Sequence, residues 1–169
     1  PAKAHNYLLM ENWNSFERTI GLCFFGPAPR SFIPVDDVLT AVRAASGWDV
    51  TAEDLLRIGE RATALARLFN VREGFGRADD TLPDRLFAPL ENGALEGVGI
   101  SRPDFERTMT ALYELKGWDP ATTAPTPARL AALGIAWAAD PLDGPQSSIF
   151  HLPSSISPPP PAPPSESAT

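Results

Sequence analysis

Apolar residues recur at intervals of three and four along most of the chain, the spacing that places them on one face of an α-helix. The first such pattern predicts a moderately apolar helix over residues 7–18 that runs into a turn at Gly21. The second predicts a helix over residues 35–46, with Gly47 placed to end it. No stretch alternates apolar and polar residues over the length of a strand, so the pattern predicts an all-α fold.

The strongest helix signal begins at Thr51. Thr51 and Asp54 stand three residues apart, the spacing of a capping box in which a hydroxyl and a carboxylate satisfy each other's backbone N–H groups. An apolar stripe follows at helical spacing, made up of Leu55, Ile58, Ala62, Leu65 and Phe69. Three charged residues lie off this stripe and are expected to face solvent or a partner: Glu60, Arg61 and Arg67.

The same capping pattern opens a helix at Ser101, where Asp104 supplies the carboxylate and Pro103 occupies the tolerant first turn. Its apolar stripe consists of Phe105, Met109, Leu112 and Leu115. Gly117 is expected to end this helix, and a last short helix is predicted over residues 127–133.

Residues 70–90 follow neither a helical nor a strand period and are dense in charge, so they predict a long ordered loop. Four apolar residues are expected to pin it to the core: Phe75, Leu82, Leu86 and Phe87. Three arginines are expected to pair with three acids of the same loop, namely Arg72, Arg77 and Arg85 with Glu73, Asp79 and Asp80. The adjacent carboxylates of Asp79 and Asp80 point apart in an extended loop, so no metal site is predicted there.

The predicted fold is an all-α, irregular helical domain of four to five helices with one long ordered loop. This domain is predicted to occupy residues 1–140. Residues 141–169 are predicted to form a disordered tail rich in proline and serine, because such a composition cannot bury enough apolar surface to order itself. Trp48 and Trp118, which each follow a glycine at a helix end, are expected to be packing anchors.

Charge and composition exclude some classes of partner. The net charge of −7 argues against nucleic acid or an anionic membrane as a partner, since either would need clustered basic residues. No apolar run approaches the roughly 20 residues of a membrane span. A single cysteine permits no internal disulfide and suits a reducing cytosol, so the expected location is cytoplasmic. The chain begins at Pro1 without a signal peptide or an initiating Met, which indicates a processed chain or an excerpt of a longer one.

Cys23 is the one cysteine of the chain, and it follows Gly21 and Leu22 at the end of the first apolar segment. Two interpretations of this thiol are open. Free cysteine is among the most buried residue types, so Cys23 could be a small buried hydrophobe. Alternatively it is a thiolate ligand whose partner ligands lie elsewhere, because iron–sulfur clusters are held by four cysteines.

Further along, several stretches resemble the C-terminal region of the tungsten-dependent aldehyde:ferredoxin oxidoreductases. The similarity extends over about residues 10–135. The stretches that carry it are residues 57–61, 68–75, 77–83, 105–107 and 113–119. The matching segment from Asn70 to Pro83 is long and specific to this family.

The resemblance implies a helical domain that packs against a tungsten (or molybdenum) bis-pterin and a nearby [4Fe–4S] cluster. In that family the fourth cluster cysteine ends an Asp-x-x-Gly-Leu-Cys motif, which Gly21, Leu22 and Cys23 match here. The resemblance therefore implies that Cys23 is a cluster ligand, and that Gly21 and Leu22 bind the cofactors in the turn beside them. Backbone N–H groups of such a turn can point at the cluster sulfurs and tune the potential.

The activity implied by the resemblance is two-electron oxidation of an aldehyde to a carboxylate, with the electrons leaving through the cluster to ferredoxin. Residues 70–83 would form part of the wall of the cofactor and substrate cavity. No residue of this chain is assigned a catalytic role.

The chain departs from the family pattern at several positions. Arg18 stands where the family motif has an aspartate that contacts the pterin, and a guanidinium can only donate hydrogen bonds. The three other cluster cysteines are absent, so they must come from the remainder of the enzyme chain or from a partner subunit. His5 and His151 match no metal role of the family and are expected at the surface.

Two alternatives stay open beside the aldehyde oxidoreductase. One is a related tungsten-dependent reductase subunit acting on an aromatic acyl-CoA, which the departure at Arg18 makes conceivable. The other is a helical interaction domain that has kept the fold and lost the cofactors.

Overall fold

The structure is a computed structural model that describes residues 2–23, 25–26 and 33–143 of the chain. Five α-helices follow one another in these ranges: α1 (Ala2–Thr19), α2 (Val35–Ser46), α3 (Ala52–Arg72), α4 (Arg102–Lys116) and α5 (Pro127–Ala132). Two 3₁₀ segments, Asp84–Leu86 and Ala136–Asp143, complete the regular structure. The described residues contain no β-strand and five α-helices, so the predicted all-α fold of four to five helices is confirmed. All but the first three residues of the predicted tail lie outside the described residues.

Helix ends follow the local sequence closely. Thr51 and Asp54 form both halves of the predicted capping box, at 2.8 Å from the Thr51 N–H and 3.2 Å from the Asp54 N–H. At Ser101 only one half forms: the Asp104 N–H donates to the Ser101 hydroxyl, while the Asp104 carboxylate pairs with Arg107. The second predicted capping box is therefore wrong in its reciprocal half.

Helix α3 is the central element, because it contributes to both apolar clusters of the core. Its first half packs Leu55 against Trp13 and Phe16 of α1 and against α2. Its second half packs Ala64 and Leu68 against α5 and the segment that follows α5. Residues 55 and 64 lie about half a turn apart around the helix axis, so the two halves of α3 bury opposite faces.

This change of face explains why the predicted apolar stripe of α3 is buried only in part. Leu55 is fully buried, but Phe69 is 45% exposed. The three charged residues expected at the surface make contacts within the domain instead. Arg61 donates to the Leu133 carbonyl oxygen at 2.6 Å, Glu60 pairs with Arg129, and Arg67 is 7% exposed.

The loop starts later than predicted, since α3 continues to Arg72. Two of its four expected anchors are wrong: Phe75 and Leu86 are exposed. Leu82 and Phe87 are partly buried, and the Phe87 ring meets Phe105 edge-on at 5.5 Å.

The ion pairs of the loop also differ from the predicted ones. Arg72 does pair with Glu73 at 3.2 Å, but Arg77 reaches Glu106 on α4 at 2.7 Å. Asp80 binds an arginine of α3, described below, and Asp79 accepts the Gly76 N–H at 2.8 Å. Long-range partners displace the local ones because α3 and α4 flank the loop on two sides.

The two tryptophans at helix ends differ. Trp118 is buried as predicted, with its ring stacked on Tyr113 at 6.2 Å and the Lys116 ammonium 4.3 Å above it. Trp48 is 61% exposed, so its expected role as a packing anchor is wrong. The chain after Trp118 turns back so that Pro125 forms an antiparallel bridge with Trp118, whereas the chain after Trp48 leads directly into α3.

Candidate functional site

The turn that carries Cys23 is built by the C-terminus of α1. Gly21 adopts a left-handed conformation with φ of +75°. Its N–H donates to the Arg18 carbonyl oxygen at 3.2 Å, and the Leu22 N–H donates to the Glu17 carbonyl oxygen at 2.8 Å. These two bonds form a Schellman motif, which satisfies the last helix carbonyls and needs a residue that tolerates positive φ.

Cys23 leaves this motif on the surface of the described chain. Its thiol is free and exposed, so Cys23 does not belong to the hydrophobic core of the described residues. The Gly26 N–H donates to the Cys23 carbonyl oxygen at 2.8 Å, which folds the chain back directly after the thiol. The structure therefore leaves the thiol at the surface, directly after the capping motif of α1.

Large apolar side chains surround the thiol in sequence and are exposed as well. Ile20 is 42%, Leu22 37% and Phe25 73% exposed. Such a concentration of exposed apolar side chains typically marks a surface that meets another protein segment.

The backbone N–H groups of Gly21 and Leu22 differ from the sequence-based expectation that they point at the cluster. The N–H groups of Gly21 and Leu22 are already donated to carbonyl oxygens of α1. They are therefore not free to point at cluster sulfurs while the helix end keeps this motif.

Beneath the turn lies a buried carboxyl group. Glu17 is 2% exposed, and burial raises its pKa, while the nearby Trp13 indole and the Arg18 charge act in the opposite direction. The burial of Glu17 is not among the features that the sequence pattern predicts. The available signal was a charged residue directly beside Phe16, on the apolar side of α1.

The described residues contain no group of three or more His, Cys, Asp or Glu side chains that could hold a metal ion. His5 is exposed, as predicted, and His151 lies outside the described residues. A single exposed thiolate suits one corner of a four-cysteine cluster and requires three ligands from elsewhere.

A second polar centre lies where the loop meets α3 and α4. The Arg67 guanidinium binds both carboxylate oxygens of Asp80, at 3.0 and 2.6 Å. It also donates to the Thr123 carbonyl oxygen at 3.0 Å. The Tyr113 hydroxyl donates to Asp80, and burial, followed by this contact, raises the pKa of Tyr113. One buried cation thus joins α3, the loop and the turn before α5.

The structure does not bring this centre together with Cys23. Asp80 and Thr81 line a pocket with Tyr7, near the start of α1, whereas Cys23 follows the end of that helix. Twelve residues of helix between Tyr7 and Thr19 correspond to about 18 Å. The thiol and the loop therefore lie at opposite ends of α1.

With this geometry established, comparison with known proteins assigns the family. Residues 1–135 match the family model described as aldehyde ferredoxin oxidoreductase, domains 2 and 3. The chain belongs to this family, as the sequence resemblance predicted.

The relatives it matches are tungsten-containing aldehyde ferredoxin oxidoreductases. The chain is 35% identical over 131 residues to the one from Pyrococcus furiosus, covering 76% of this chain and 20% of that protein. It is 33% identical over 118 residues to the one from Thermococcus kodakarensis, covering 69% of this chain and 18% of that protein. The chain thus spans about a fifth of the length of the curated relatives it matches. Within the described residues, no helix is long and apolar enough to cross a membrane.

Proposed function

We propose that this chain is the C-terminal helical portion of an enzyme that oxidises aldehydes to carboxylates, with Cys23 as one ligand of a [4Fe–4S] cluster. The balanced reaction converts an aldehyde and water into a carboxylate, three protons and two electrons. The electrons pass one at a time to two molecules of ferredoxin. A tungsten (or molybdenum) pterin supplies the two-electron chemistry when bound.

The observation that carries this proposal is the exposed thiol at the end of a helix-capping turn. A cysteine that had only a packing role would be expected inside the core. Here the turn holds the thiol outward, among the exposed apolar side chains of Ile20, Leu22 and Phe25. That environment would become buried once the segments carrying the other three ligands cover it.

Each element of this chain would have a separate task in the complete enzyme. Gly21 and Leu22 fix the direction of the thiol through their bonds to α1. The buried contacts of Arg67 hold the loop, so the loop can serve as a rigid wall. Because they lie at opposite ends of α1, the thiol and the loop would contribute to different parts of the cofactor and substrate cavity.

The test is the metal content of the full-length protein, purified without oxygen. We expect about four iron atoms and one tungsten or molybdenum atom per copy. Cys23→Ala should lose the iron–sulfur signal or convert it to a cluster with fewer irons. Ile20→Ala, a matched change in the same turn, should keep it.

The other outcomes distinguish the alternatives. An iron–sulfur signal unchanged by Cys23→Ala would refute the ligand assignment. A folded full-length protein without metal would identify a helical interaction domain instead. A metal-loaded protein that reduces an aromatic acyl-CoA and does not oxidise aldehydes would identify the reductase subunit.

A further inference from the structure

Residues 86–100 form a segment that is held together by its own backbone. The Leu90 N–H donates to the Val98 carbonyl oxygen at 3.1 Å. At the base of the segment, the Ile100 N–H donates to the Leu86 carbonyl oxygen at 3.4 Å. These bonds bring the two arms of the 86–100 segment side by side and give it a defined shape.

One aromatic side chain fixes this segment to the rest of the domain. The Phe87 ring meets Phe105 of α4 edge-on at 5.5 Å, and the Arg102 guanidinium lies 4.0 Å from the centre of the same ring. A Cβ atom at Gly99 would stand 2.9 Å from the Phe87 carbonyl oxygen, so the two arms are in close contact here. Every residue from 88 to 100 is exposed in the described structure, so the segment beyond this anchor adds no side chain to the core.

Five large apolar side chains of the 86–100 segment are exposed. We call them the apolar face of the segment: Leu86, Leu90, Leu95, Val98 and Ile100. The backbone bonds join Leu86 to Ile100 and Leu90 to Val98, so these residues are neighbours in space. Monomeric proteins rarely expose a contiguous apolar patch of this kind, and permanent interfaces are the more apolar class. The apolar face is therefore typical of a permanent interface.

The charge of the segment is negative. Glu91 and Glu96 are its two charged residues, and no lysine or arginine occurs from residue 86 to residue 101. Neither carboxylate belongs to an ion pair of the described residues. If the apolar face docked on itself in a second copy, the carboxylates of both copies would gather there without a cation, and like charges across an interface repel. A partner surface with basic side chains at its edge fits better.

The length of the relatives indicates which partner this is. The chain spans about a fifth of the length of the curated relatives it matches, so most of such an enzyme lies outside it. We infer that the apolar face docks on that remaining part of the enzyme, against an apolar surface edged by lysine or arginine. The inference rests on the part of the proposed function that makes this chain one portion of a larger enzyme, and it is independent of the cluster and of the reaction.

The test is hydroxyl-radical footprinting of the native full-length protein, with mass spectrometry as the readout. Leu90 and Leu95 should react as slowly as Leu55 and Leu130, which are fully buried in the core. After unfolding in denaturant, the four leucines should react alike. The protection should not depend on protein concentration, because the partner surface belongs to the same enzyme.

A double variant, Leu95→Asp with Val98→Asp, should disrupt the docking, since it places two carboxylates in an apolar contact. The reactivity of Leu90 should then rise to its value in the unfolded protein. Ala44→Asp, at an exposed position of α2, is the matched control and should leave Leu90 protected.

The acidic residues are tested by reversing their charge. Glu91→Lys with Glu96→Lys should also raise the reactivity of Leu90, because two cations would then face a basic edge. Glu114→Lys, at an exposed position of α4, is the control for the change of charge and should have no such effect.

The inference is overturned if Leu90 and Leu95 react in the native full-length protein as they do after unfolding. It is also overturned if their protection is lost on dilution while light scattering shows a dimer becoming a monomer, since a second copy would then be the partner. The wild-type footprint decides both points even if a variant fails to fold. Metal content reports separately on the proposed reaction, so a protected apolar face on a protein without metal would refute the reaction and support the docking.

Discussion

The backbone of Asn12 lies so close to Gly59 that a Cβ atom at residue 59 would stand 1.8 Å from the Asn12 carbonyl oxygen. The same Cβ would be 2.8 Å from the Phe16 nitrogen. Helices α1 and α3 can therefore approach this closely only because residue 59 has no side chain.

Gly59→Ala is expected to destabilise the fold by about 2 kcal/mol or more, because the clash is with backbone that cannot turn aside. The intrinsic preference of helices for alanine, about 1 kcal/mol, would act in the opposite direction. Chemical denaturation of the full-length protein measures the difference. Gly76→Ala is the control, since a Cβ at residue 76 meets open space. Equal stability of the two variants would contradict the close crossing.

Removing Asp80 should leave the Arg67 charge buried without its carboxylate. We expect Asp80→Ala to cost about 3 kcal/mol, near the low end for a broken buried ion pair, because the Asp80 side chain is 24% exposed. Tyr113→Phe, which removes one donor to the same carboxylate, should cost about 1.5 kcal/mol. Equilibrium unfolding of both variants and of the double variant measures their coupling.

Asp84→Ala is the matched control for this pair. Its carboxylate binds Arg102 at the surface, with the Asp84 side chain 92% exposed, so its loss should change stability by no more than about 0.5 kcal/mol. A cost for Asp80→Ala as small as that of Asp84→Ala would show that Arg67 does not depend on its partner.

The buried carboxyl of Glu17 should make stability depend on pH. Its pKa is raised in the folded state, so the folded protein holds more protons than the unfolded chain between the ordinary value and the raised one. Stability then falls as pH rises through that window, by at most about 1.4 kcal/mol per pH unit for one proton. Glu17→Gln should flatten this slope and stabilise the protein at neutral pH. Denaturation curves over a series of pH values measure this dependence of the free energy of unfolding. Glu114→Gln, a change at an exposed position of α4, is the control and should leave the slope unchanged.

The turn before Cys23 should be sensitive to the loss of its glycine. Gly21→Ala forces a side chain into a left-handed backbone conformation, at a cost of about 1–2 kcal/mol, and should lower the iron content of the full-length protein. Gly47 has nearly the same φ, +73°, at the end of α2, so Gly47→Ala should lose similar stability and keep its iron. If both variants retain iron equally, the geometry of the Gly21 turn is not needed to present the thiol.

Local signals in the sequence predicted the helix ends well. The predicted helix over residues 35–46 has the observed bounds of α2, because Gly47 supplies the left-handed residue that ends it. The Thr51 cap and the end of α4 at Gly117 depend on neighbouring residues in the same way. Such features need only a few residues of context.

The sequence pattern does not predict contacts between residues that lie far apart in the chain. Arg67 lies off the predicted apolar stripe and is therefore expected to face solvent or a partner. The residues that bury it, Asp80 and Thr123, stand 13 and 56 residues away in the sequence. Gly59 carries a sequence signal of this contact, since a glycine inside a strong helix commonly has a packing reason. At the candidate site, the sequence identified the thiol, whereas its exposure and the burial of Glu17 needed the packing of α1.

The contacts of Arg67 also have a consequence for the motions of the domain. Its guanidinium binds the loop through Asp80 and the turn before α5 through Thr123, a fully buried residue with φ of 60°. Neither segment can detach by itself without leaving a charge or a strained backbone uncompensated. The residues held by Arg67 should therefore open together with the core, and the hydrogen-bonded amides of Asp80 and Thr123 should exchange with solvent as slowly as those of α3.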